Sequence, residues 1–323
     1  MEWKVYKVVF RIKAPIHIGY RKYGNLMETR PYIPARVFLG ALTARITRTV
    51  FGPTQNWRYY RIVGEILNQV LTASYFYPTT NADGKIKVFP WDDEFLHYGF
   101  VGSYVSTALQ QQERASEDGS LHEVEFISPR TRNGGKQVYL SGYFFVRENV
   151  DRRNIPASLL ENLKTGNAKL NLLEDEIEQL ETILKEIEDN EKLKEIISKV
   201  FEWKTIVEAL QVGGERGYGW GMIELQNTEE HTKEQIFNRY SVDQSGNRPG
   251  IKIEKEDPLP CHLIAQDNPS VITGYPEPLV RREWRKGPGS KIVFDGLSYP
   301  PGAVAICHCT VTLNTLGYGI VGG

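Results

Sequence analysis

Apolar and polar positions near the start of the chain form the pattern of a strand, a loop and a helix. Residues 5–12 are mostly apolar with partial alternation, which predicts a strand that ends before Pro15. Residues 17–29 are polar and contain two glycines, so we expect a loop there. Pro34 stands where a helix can begin. The apolar positions that follow it at helical spacing are Val37, Phe38, Ala41, Leu42 and Ile46.

The middle of the chain predicts a hairpin and a helical insertion. Residues 104–126 are interpreted as a hairpin excursion with a polar tip, and residues 138–146 as a strand. An apolar stripe then marks one face of an acidic helix, and a second helix is predicted to return over 193–200. The stripe consists of Leu173, Ile177, Leu180, Leu184 and Ile187. The sequence allows two interpretations of this stripe, which either packs on its own domain or contacts a partner protein.

Charge is distributed unevenly along the chain. The 323 residues carry a formal net charge of −1. Residues 1–61, however, contain twelve lysines and arginines against two glutamates, whereas residues 169–200 are predominantly acidic. Because local fields steer a polyanion, the basic N-terminal block keeps nucleic-acid binding open. The alternative is that these cations decorate a solvated face.

Cysteine content and hydropathy indicate a protein of a reducing compartment. The three cysteines are Cys261, Cys307 and Cys309, too few and too clustered for a disulfide framework. No run of about 18 apolar residues predicts a membrane span, and we expect a cytoplasmic protein. Cys307 and Cys309 would share one side of a strand, with His308 on the other, and there is no Cys-x-x-Cys pair. We therefore expect neither a metal nor a cofactor.

The segment most informative about function is residues 213–221, Gly-Gly-Glu-Arg-Gly-Tyr-Gly-Trp-Gly. Glycines allow a ligand to approach the backbone closely, and exposed N–H groups in such a loop can bind phosphate. Arg216 can pair with a phosphate, and Tyr218 or Trp220 can stack on a base or pack inward. The predicted binding residues of this loop are Gly214, Arg216, Gly217, Tyr218, Gly219 and Trp220. The alternative is a structural loop that supports the sheet.

A second basic cluster lies near the C-terminus, at Arg281, Arg282 and Arg285, beside Trp284. Positive charge next to an aromatic ring suits single-stranded RNA. A solvated face is the alternative.

The glycine segment resembles the glycine-rich loop of the RAMP superfamily, the RNA-binding proteins of CRISPR interference complexes. Residues 15–19 (Pro-Ile-His-Ile-Gly), 30–34 (Arg-Pro-Tyr-Ile-Pro) and 40–45 (Gly-Ala-Leu-Thr-Ala-Arg) resemble the family's first strand, loop and first helix. Residues 125–143 are similar to its central hairpin region. The likeness covers residues 1–225. The family's usual lysine at the helix start is absent, and Arg36 stands nearby.

The resemblance implies an α+β protein with a ferredoxin-like (RRM-type) domain over residues 1–225, carrying a helical insertion at about 155–205. Residues 226–323 would form a C-terminal subdomain, for which a second ferredoxin-like unit is one interpretation. The expected function is that of an RNA-binding structural subunit of a type III-like CRISPR ribonucleoprotein effector complex in antiviral defence. Its partners would be guide RNA and other effector subunits, with no membrane and no small-molecule substrate. Guide RNA would run along the sheet face and the glycine loop, with Arg21, Lys22, Arg30, Arg36 and Arg216 on its phosphates.

The sequence also allows two other functions. The family also contains metal-independent endoribonucleases that use a histidine as general acid or base, and His17 is the weak candidate for that role. The target-cleaving subunits carry an aspartate in the first loop, where this chain has only Glu28, so no catalytic role is transferred to it. The third possibility is a scaffold that binds proteins and has no affinity for RNA.

Overall fold

The computed structural model describes residues 3–92, 99–107, 121–156, 158–159, 161, 174–189, 191–265, 274–283, 291–314 and 317–321. They form a mixed α+β fold. The helices are α1 (Ala35–Phe51), α2 (Trp57–Val70), α3 (Glu174–Asp189), α4 (Lys192–Phe201) and α5 (Trp203–Ile206). The first ten strands are β1 (Lys4–Ile12), β2 (Gly19–Tyr23), β3 (Leu26–Thr29), β4 (Leu71–Ala73), β5 (Tyr77–Thr79), β6 (Val101–Ser106), β7 (His122–Ile127), β8 (Tyr139–Val146), β9 (Ala209–Gln211) and β10 (Met222–Glu230). The later strands are β11 (Gln235–Ile236), β12 (Tyr240–Asp243), β13 (Gly250–Ile253), β14 (Leu263–Ile264), β15 (Glu277–Glu283), β16 (Lys291–Tyr299), β17 (Cys309–Leu313) and β18 (Gly319–Val321).

The predicted first strand lies in the middle of the central sheet. The order in this sheet is β4-β8-β1-β10-β9, with β5 also paired to β8. Every pairing in it is antiparallel. Side chains on both faces of β1 are buried, which explains why residues 5–12 are apolar with only partial alternation.

Aromatic side chains join α1 to one face of this sheet. The ring of Phe38 on α1 lies 5.4 Å from that of Phe10 and 4.1 Å from that of Phe76, centroid to centroid. Gly142 on β8 leaves the space for this cluster, because a Cβ there would come within 2.7 Å of the Phe76 ring. The helix is thereby fixed on the sheet.

The opposite face of the central sheet is also covered in part. The Tyr143 ring packs 4.9 Å from that of Phe237, and the Tyr143 hydroxyl accepts a hydrogen bond from the Phe237 N–H. Gly84 lies against Val9 and Ser141. Other parts of the chain therefore cover the β1–β8 part of this face, whereas Met222 and Glu224 of β10 are exposed.

The polar segment after β1 forms strands rather than the loop that its composition predicts. A small sheet has the order β2-β3-β7-β6, so the segment pairs with the hairpin excursion. All five residues of β2 are exposed. Burial therefore imposes no apolar alternation on this strand, and the pattern gives no signal of it.

The predicted helical hairpin packs on its own domain. Leu180, Leu184 and Ile187 of α3 are buried, and α3 contacts α2 and α4. The first interpretation of the stripe is confirmed for these three residues. Leu173 lies outside the described residues.

The C-terminal region forms an eight-stranded sheet of order β11-β12-β13-β17-β18-β14-β16-β15. Among the described residues of 226–323 there is no helix, whereas a second ferredoxin-like unit would contain two. The described part of the region therefore does not show the helices of such a unit. The boundary predicted at residue 225 falls inside β10, and buried residues from both regions share one apolar core.

Candidate nucleic-acid interface

The glycine-rich loop is tied to the segment that joins β1 to β2. The Gly214 N–H donates to the His17 carbonyl at 2.8 Å, and the Gly221 N–H donates to the Pro15 carbonyl at 2.7 Å. The loop leads from β9 into β10, and β10 pairs with β1. The sequence motif and the first predicted loop, distant in the chain, therefore lie side by side.

Two glycines of this loop are required by the backbone. Gly213 and Gly221 have φ values of 80° and 86°. A Cβ at Gly213 would lie 2.5 Å from the His17 carbonyl oxygen, and one at Gly221 would lie 2.0 Å from the Val212 carbonyl oxygen. No larger residue fits either position without a shift of the backbone.

The two aromatic residues of the loop face different ways. The Trp220 ring packs edge-on against Phe126, at 5.2 Å between centroids, and against Tyr104, at 6.3 Å. Tyr218 is 82% exposed and lies in a single 3₁₀ turn with the exposed Arg216. Trp220 thus supports the loop on the β6–β7 hairpin, while Arg216 and Tyr218 face solvent.

Two of the predicted glycine N–H groups are already used inside the protein. The Gly214 N–H donates to His17, and the Gly219 N–H donates to the Arg216 carbonyl at 3.1 Å. Each of these two N–H groups already has an acceptor, so a phosphate would have to displace it. Gly217 lies on the outer side of the turn, with open space around its Cα.

Strand β2, which follows the segment that holds the loop, carries two further exposed cations. Arg21 and Lys22 are exposed on β2. His17, which contacts the loop, lies four residues before Arg21, which is about 13 Å of extended chain. The Arg21 guanidinium stacks on the Tyr20 ring at 4.4 Å from its centroid. We name the exposed residues Arg21, Lys22, Arg216 and Tyr218 the loop surface.

Arg30 and Arg36 do not belong to the loop surface. Arg30 is only 7% exposed, and its Nη2 pairs with the Glu277 carboxylate at 2.6 Å. The Arg36 guanidinium donates to the Tyr318 hydroxyl. Arg30 would therefore have to break a buried ion pair before it could bind a phosphate. Arg36 is half-buried, and its partner is a neutral hydroxyl.

A buried carboxylate joins the β2–β3 hairpin to the C-terminal sheet. Glu277 pairs with Arg30, accepts a hydrogen bond from Tyr20, and lies 2.8 Å from His262 Nε2. The other nitrogen of His262 lies 2.6 Å from the Tyr75 hydroxyl. With Tyr75 donating to Nδ1 and Nε2–H donating to Glu277, a neutral imidazole satisfies both contacts. We name Arg30, Tyr20, Glu277, His262 and Tyr75 the carboxylate network.

The charges of this network follow from burial and contact. Burial lowers the pKa of His262 to about 4, although its hydrogen bond to Glu277 acts in the opposite direction. Burial alone would raise the pKa of Glu277, but the hydrogen bond from His262 and the charge of Arg30 outweigh it and bring this pKa to about 2. At neutral pH the network therefore holds a neutral histidine and an ionised pair.

Acidification from pH 6.5 towards pH 4 is expected to destabilise the protein through His262. The folded-state pKa lies below the unfolded value, so the unfolded chain binds the extra proton in this window, and about 3 kcal/mol is lost by pH 4. Urea unfolding at several pH values, on wild type and His262→Gln, measures the difference in slope. Equal slopes in the two proteins would show that His262 does not titrate in this way.

His17 lies inside the protein, next to the glycine-rich loop. It is buried, its Nδ1 lies 2.8 Å from the Glu125 carbonyl oxygen, and its own carbonyl holds the glycine loop. A general acid or base must reach the substrate. The contacts that His17 makes here are those of a residue that fixes the loop.

The C-terminal basic cluster does not join the loop surface as a group. Arg281 pairs with Asp295 at 2.7 Å, and both side chains are largely buried. Arg282 is exposed on β15, and Arg285 lies outside the described residues. Only Arg282 is thus shown on the surface.

Glu277, His262 and Tyr20 were missed by sequence reasoning. No local pattern marks Glu277 or His262, because their partners lie far away in the chain. Tyr20 had a weak signal, since an aromatic residue directly before a basic pair can stack on a guanidinium.

The described residues contain no group of three or more His, Cys, Asp or Glu side chains placed to hold a metal ion. In the same part of the chain, no helix is both long and apolar enough to cross a membrane.

Comparisons with known proteins find similarity only among solved structures. No protein-family model matches the sequence, and no curated protein matches it. The chain is similar to a chain of the type III-B Cmr-beta complex bound to cognate target RNA and AMPPnP, with a TM-score of 0.45 and 10% identity over 93% of this chain and 85% of that chain. A second structure of that complex, bound to cognate target RNA, gives a TM-score of 0.45 and 9% identity over 93% of this chain and 86% of that chain. A structure of the apo state of that complex gives a TM-score of 0.32 and 8% identity over 68% of this chain and 96% of that chain. Likeness at this level assigns no function to the chain.

Proposed function

We propose that this protein is a non-catalytic, RNA-binding subunit of a CRISPR effector complex of the RAMP superfamily. The observation that carries the proposal is the anchoring of the glycine-rich loop to residues 15–17. This contact brings together two of the segments that resemble the family. Arg216 and Tyr218 of the loop are exposed, and so are Arg21 and Lys22 on the strand that follows residue 17, which supports one surface made of both.

The chemistry of the loop surface suits single-stranded RNA. Three exposed cations can each meet a phosphate, and the exposed ring of Tyr218 offers a stacking face to a base. None of these groups recognises a particular base edge, so we expect binding with little sequence preference. A subunit that holds guide RNA of any spacer sequence needs this property.

The proposed fold of the N-terminal part is ferredoxin-like. In chain order, β1, β4, β8 and β10 would be its four strands, with α1 and α2 after the first and α3 to α5 after the third. The sheet order β4-β8-β1-β10, antiparallel throughout, supports this assignment. The second sheet of this part then belongs to insertions. In this proposal the protein works in the cytoplasm with guide RNA and neighbouring effector subunits.

Replacing Arg21, Lys22 and Arg216 together by glutamine is expected to weaken RNA binding at least about tenfold. Loss of three phosphate contacts should also reduce the salt dependence of log K by about 2, since each contact on a single strand contributes about 0.7. Native gels with labelled repeat-containing RNA in EDTA, run at several salt concentrations, measure both quantities.

A matched variant removes three exposed cations from helices instead, at Arg45, Arg48 and Lys185. It should bind RNA nearly as wild type does. Equal losses in the two variants would mean that only total charge matters and would contradict the loop surface. Cleavage of the RNA on parallel denaturing gels, lost in His17→Ala, would contradict the non-catalytic assignment.

A further inference from the structure

A second cationic cluster lies at the other end of β1 from the glycine loop. Trp3 directly precedes β1, Arg147 directly follows β8, and Arg248 lies between β12 and β13. The nine residues of β1 separate this cluster from the loop surface by about 30 Å. No motif of the sequence marks it, and the proposed function does not use it.

Two guanidinium groups converge on one indole ring. The Arg147 guanidinium carbon lies 4.6 Å from the centre of the Trp3 ring, and that of Arg248 lies 6.0 Å from it. Arg147 Nη2 donates to the Asn247 side-chain oxygen at 2.8 Å, and Arg248 Nη1 donates to the Asn68 carbonyl at 2.7 Å. Neutral oxygens thus hold both arginines in place without neutralising them.

The nearby carboxylates are engaged elsewhere. Glu148, next to Arg147 in sequence, pairs with Lys4 at 2.8 Å, and Glu65 pairs with Arg61 at 3.1 Å. Among the described residues no carboxylate forms an ion pair with Arg147 or Arg248. The pKa of Arg248 falls to about 10, first because its guanidinium is buried and then because Arg147 lies beside it, although Glu65 partly offsets this. Two like charges are therefore held together without a counter-charge.

Buried donors around the cluster also have no acceptor. Trp3 Nε1 and Arg147 Nε are buried, and in the described part of the chain neither has a hydrogen-bond partner. Indole and guanidinium groups can only donate. The cluster therefore combines uncompensated positive charge with unsatisfied donors, and both call for an anionic acceptor.

We propose that Arg147 and Arg248, backed by Trp3, form a binding site for a phosphate group. Both arginines are partly exposed, so an anion can reach them. Guanidinium groups bind phosphate oxygens with paired hydrogen bonds. A tetrahedral oxyanion presents acceptors in several directions, which suits donors that arrive from β1, β8 and the 244–249 segment. The phosphate can be free or terminal on an RNA strand, since the ligand chemistry is the same.

Inorganic phosphate is expected to raise the melting temperature of the full chain in a saturable way, relative to sodium chloride at equal pH and ionic strength. Arg147→Gln and Arg248→Gln should each weaken this effect about tenfold in apparent affinity. Arg45→Gln, with the same charge change on an exposed part of α1, should keep it. Absence of a phosphate-specific shift in wild type, or equal shifts in all variants, would overturn the site.

A measurement on wild type alone covers the case in which the variants do not fold. Phosphate should protect Arg147 and Arg248, but not Arg45, from an arginine-specific glyoxal reagent, as read by mass spectrometry of the peptides. Protection by RNA with a 5′-phosphate and not by the same RNA with a 5′-hydroxyl would assign the site to a strand end. Protection by inorganic phosphate alone would assign it to free phosphate, and no protection by either would refute it.

Discussion

Replacing Glu277 by glutamine is expected to lower the free energy of unfolding by about 3–5 kcal/mol. Glu277 is the only carboxylate among the five side chains of the carboxylate network. The Arg30 Nη2 lies 2.6 Å from its carboxylate oxygen, and both side chains have almost no access to solvent. The substitution leaves a buried guanidinium without a counter-charge, which is strongly destabilising. Chemical denaturation at pH 7 measures the loss.

Glu254→Gln is the matched control, because Glu254 also pairs with a histidine, His308, but both side chains are largely exposed. A surface pair of this kind contributes at most about 1 kcal/mol. A double variant, Arg30→Met with Glu277→Leu, should recover much of the lost stability, because it removes both charges. If Glu277→Gln changed stability no more than the control, the network would not hold the hairpin to the C-terminal sheet.

Replacing Gly221 by alanine is expected to remove most of the RNA affinity and to destabilise the fold by several kcal/mol. The added Cβ would lie 2.0 Å from the Val212 carbonyl oxygen at a φ of 86°, so the backbone of the loop must move. The movement breaks the contacts that Gly221 makes with Pro15 and Val212, at 2.7 and 2.9 Å. Native gels and denaturation curves measure the two effects.

Gly217→Ala in the same loop is the control. Its backbone has no positive φ, and a Cβ there meets nothing within 4 Å. It should fold normally and keep the loop in place. If both variants behaved alike, the geometry of the loop would not be what sets RNA affinity.

Periodic patterns predicted the parts of the fold in which burial alone decides the sequence. The strand at residues 5–12 is observed as β1, the stripe after Pro34 as α1, and residues 138–146 as β8. Strand β2 was missed because none of its residues is buried. An exposed strand is held by backbone hydrogen bonds alone, and these do not require apolar residues at alternate positions.

The sequence predicted the segments of the candidate site but not their contacts, and this has a physical cause. The glycine segment was identified from its composition, but composition does not say which N–H groups the turn uses for itself, as Gly214 and Gly219 do. Charge counting could not separate the exposed Arg21 from the buried Arg30, because the partner of Arg30 lies on β15. Contacts between distant segments decide which cation reaches a ligand, and one sequence does not contain them.

Two arginines of the N-terminal part have their partners in the C-terminal region, and this affects how the protein folds during translation. Arg30 and Arg36 find their partners at Glu277 and Tyr318, far later in the chain. Until those residues leave the ribosome, the first hairpin and helix therefore carry cations with no completed burial site. The nascent protein is expected to reach its mature shape around these arginines only after residues 277 and 318 have been synthesised. A message truncated before codon 277 should thus yield a product that proteases degrade readily.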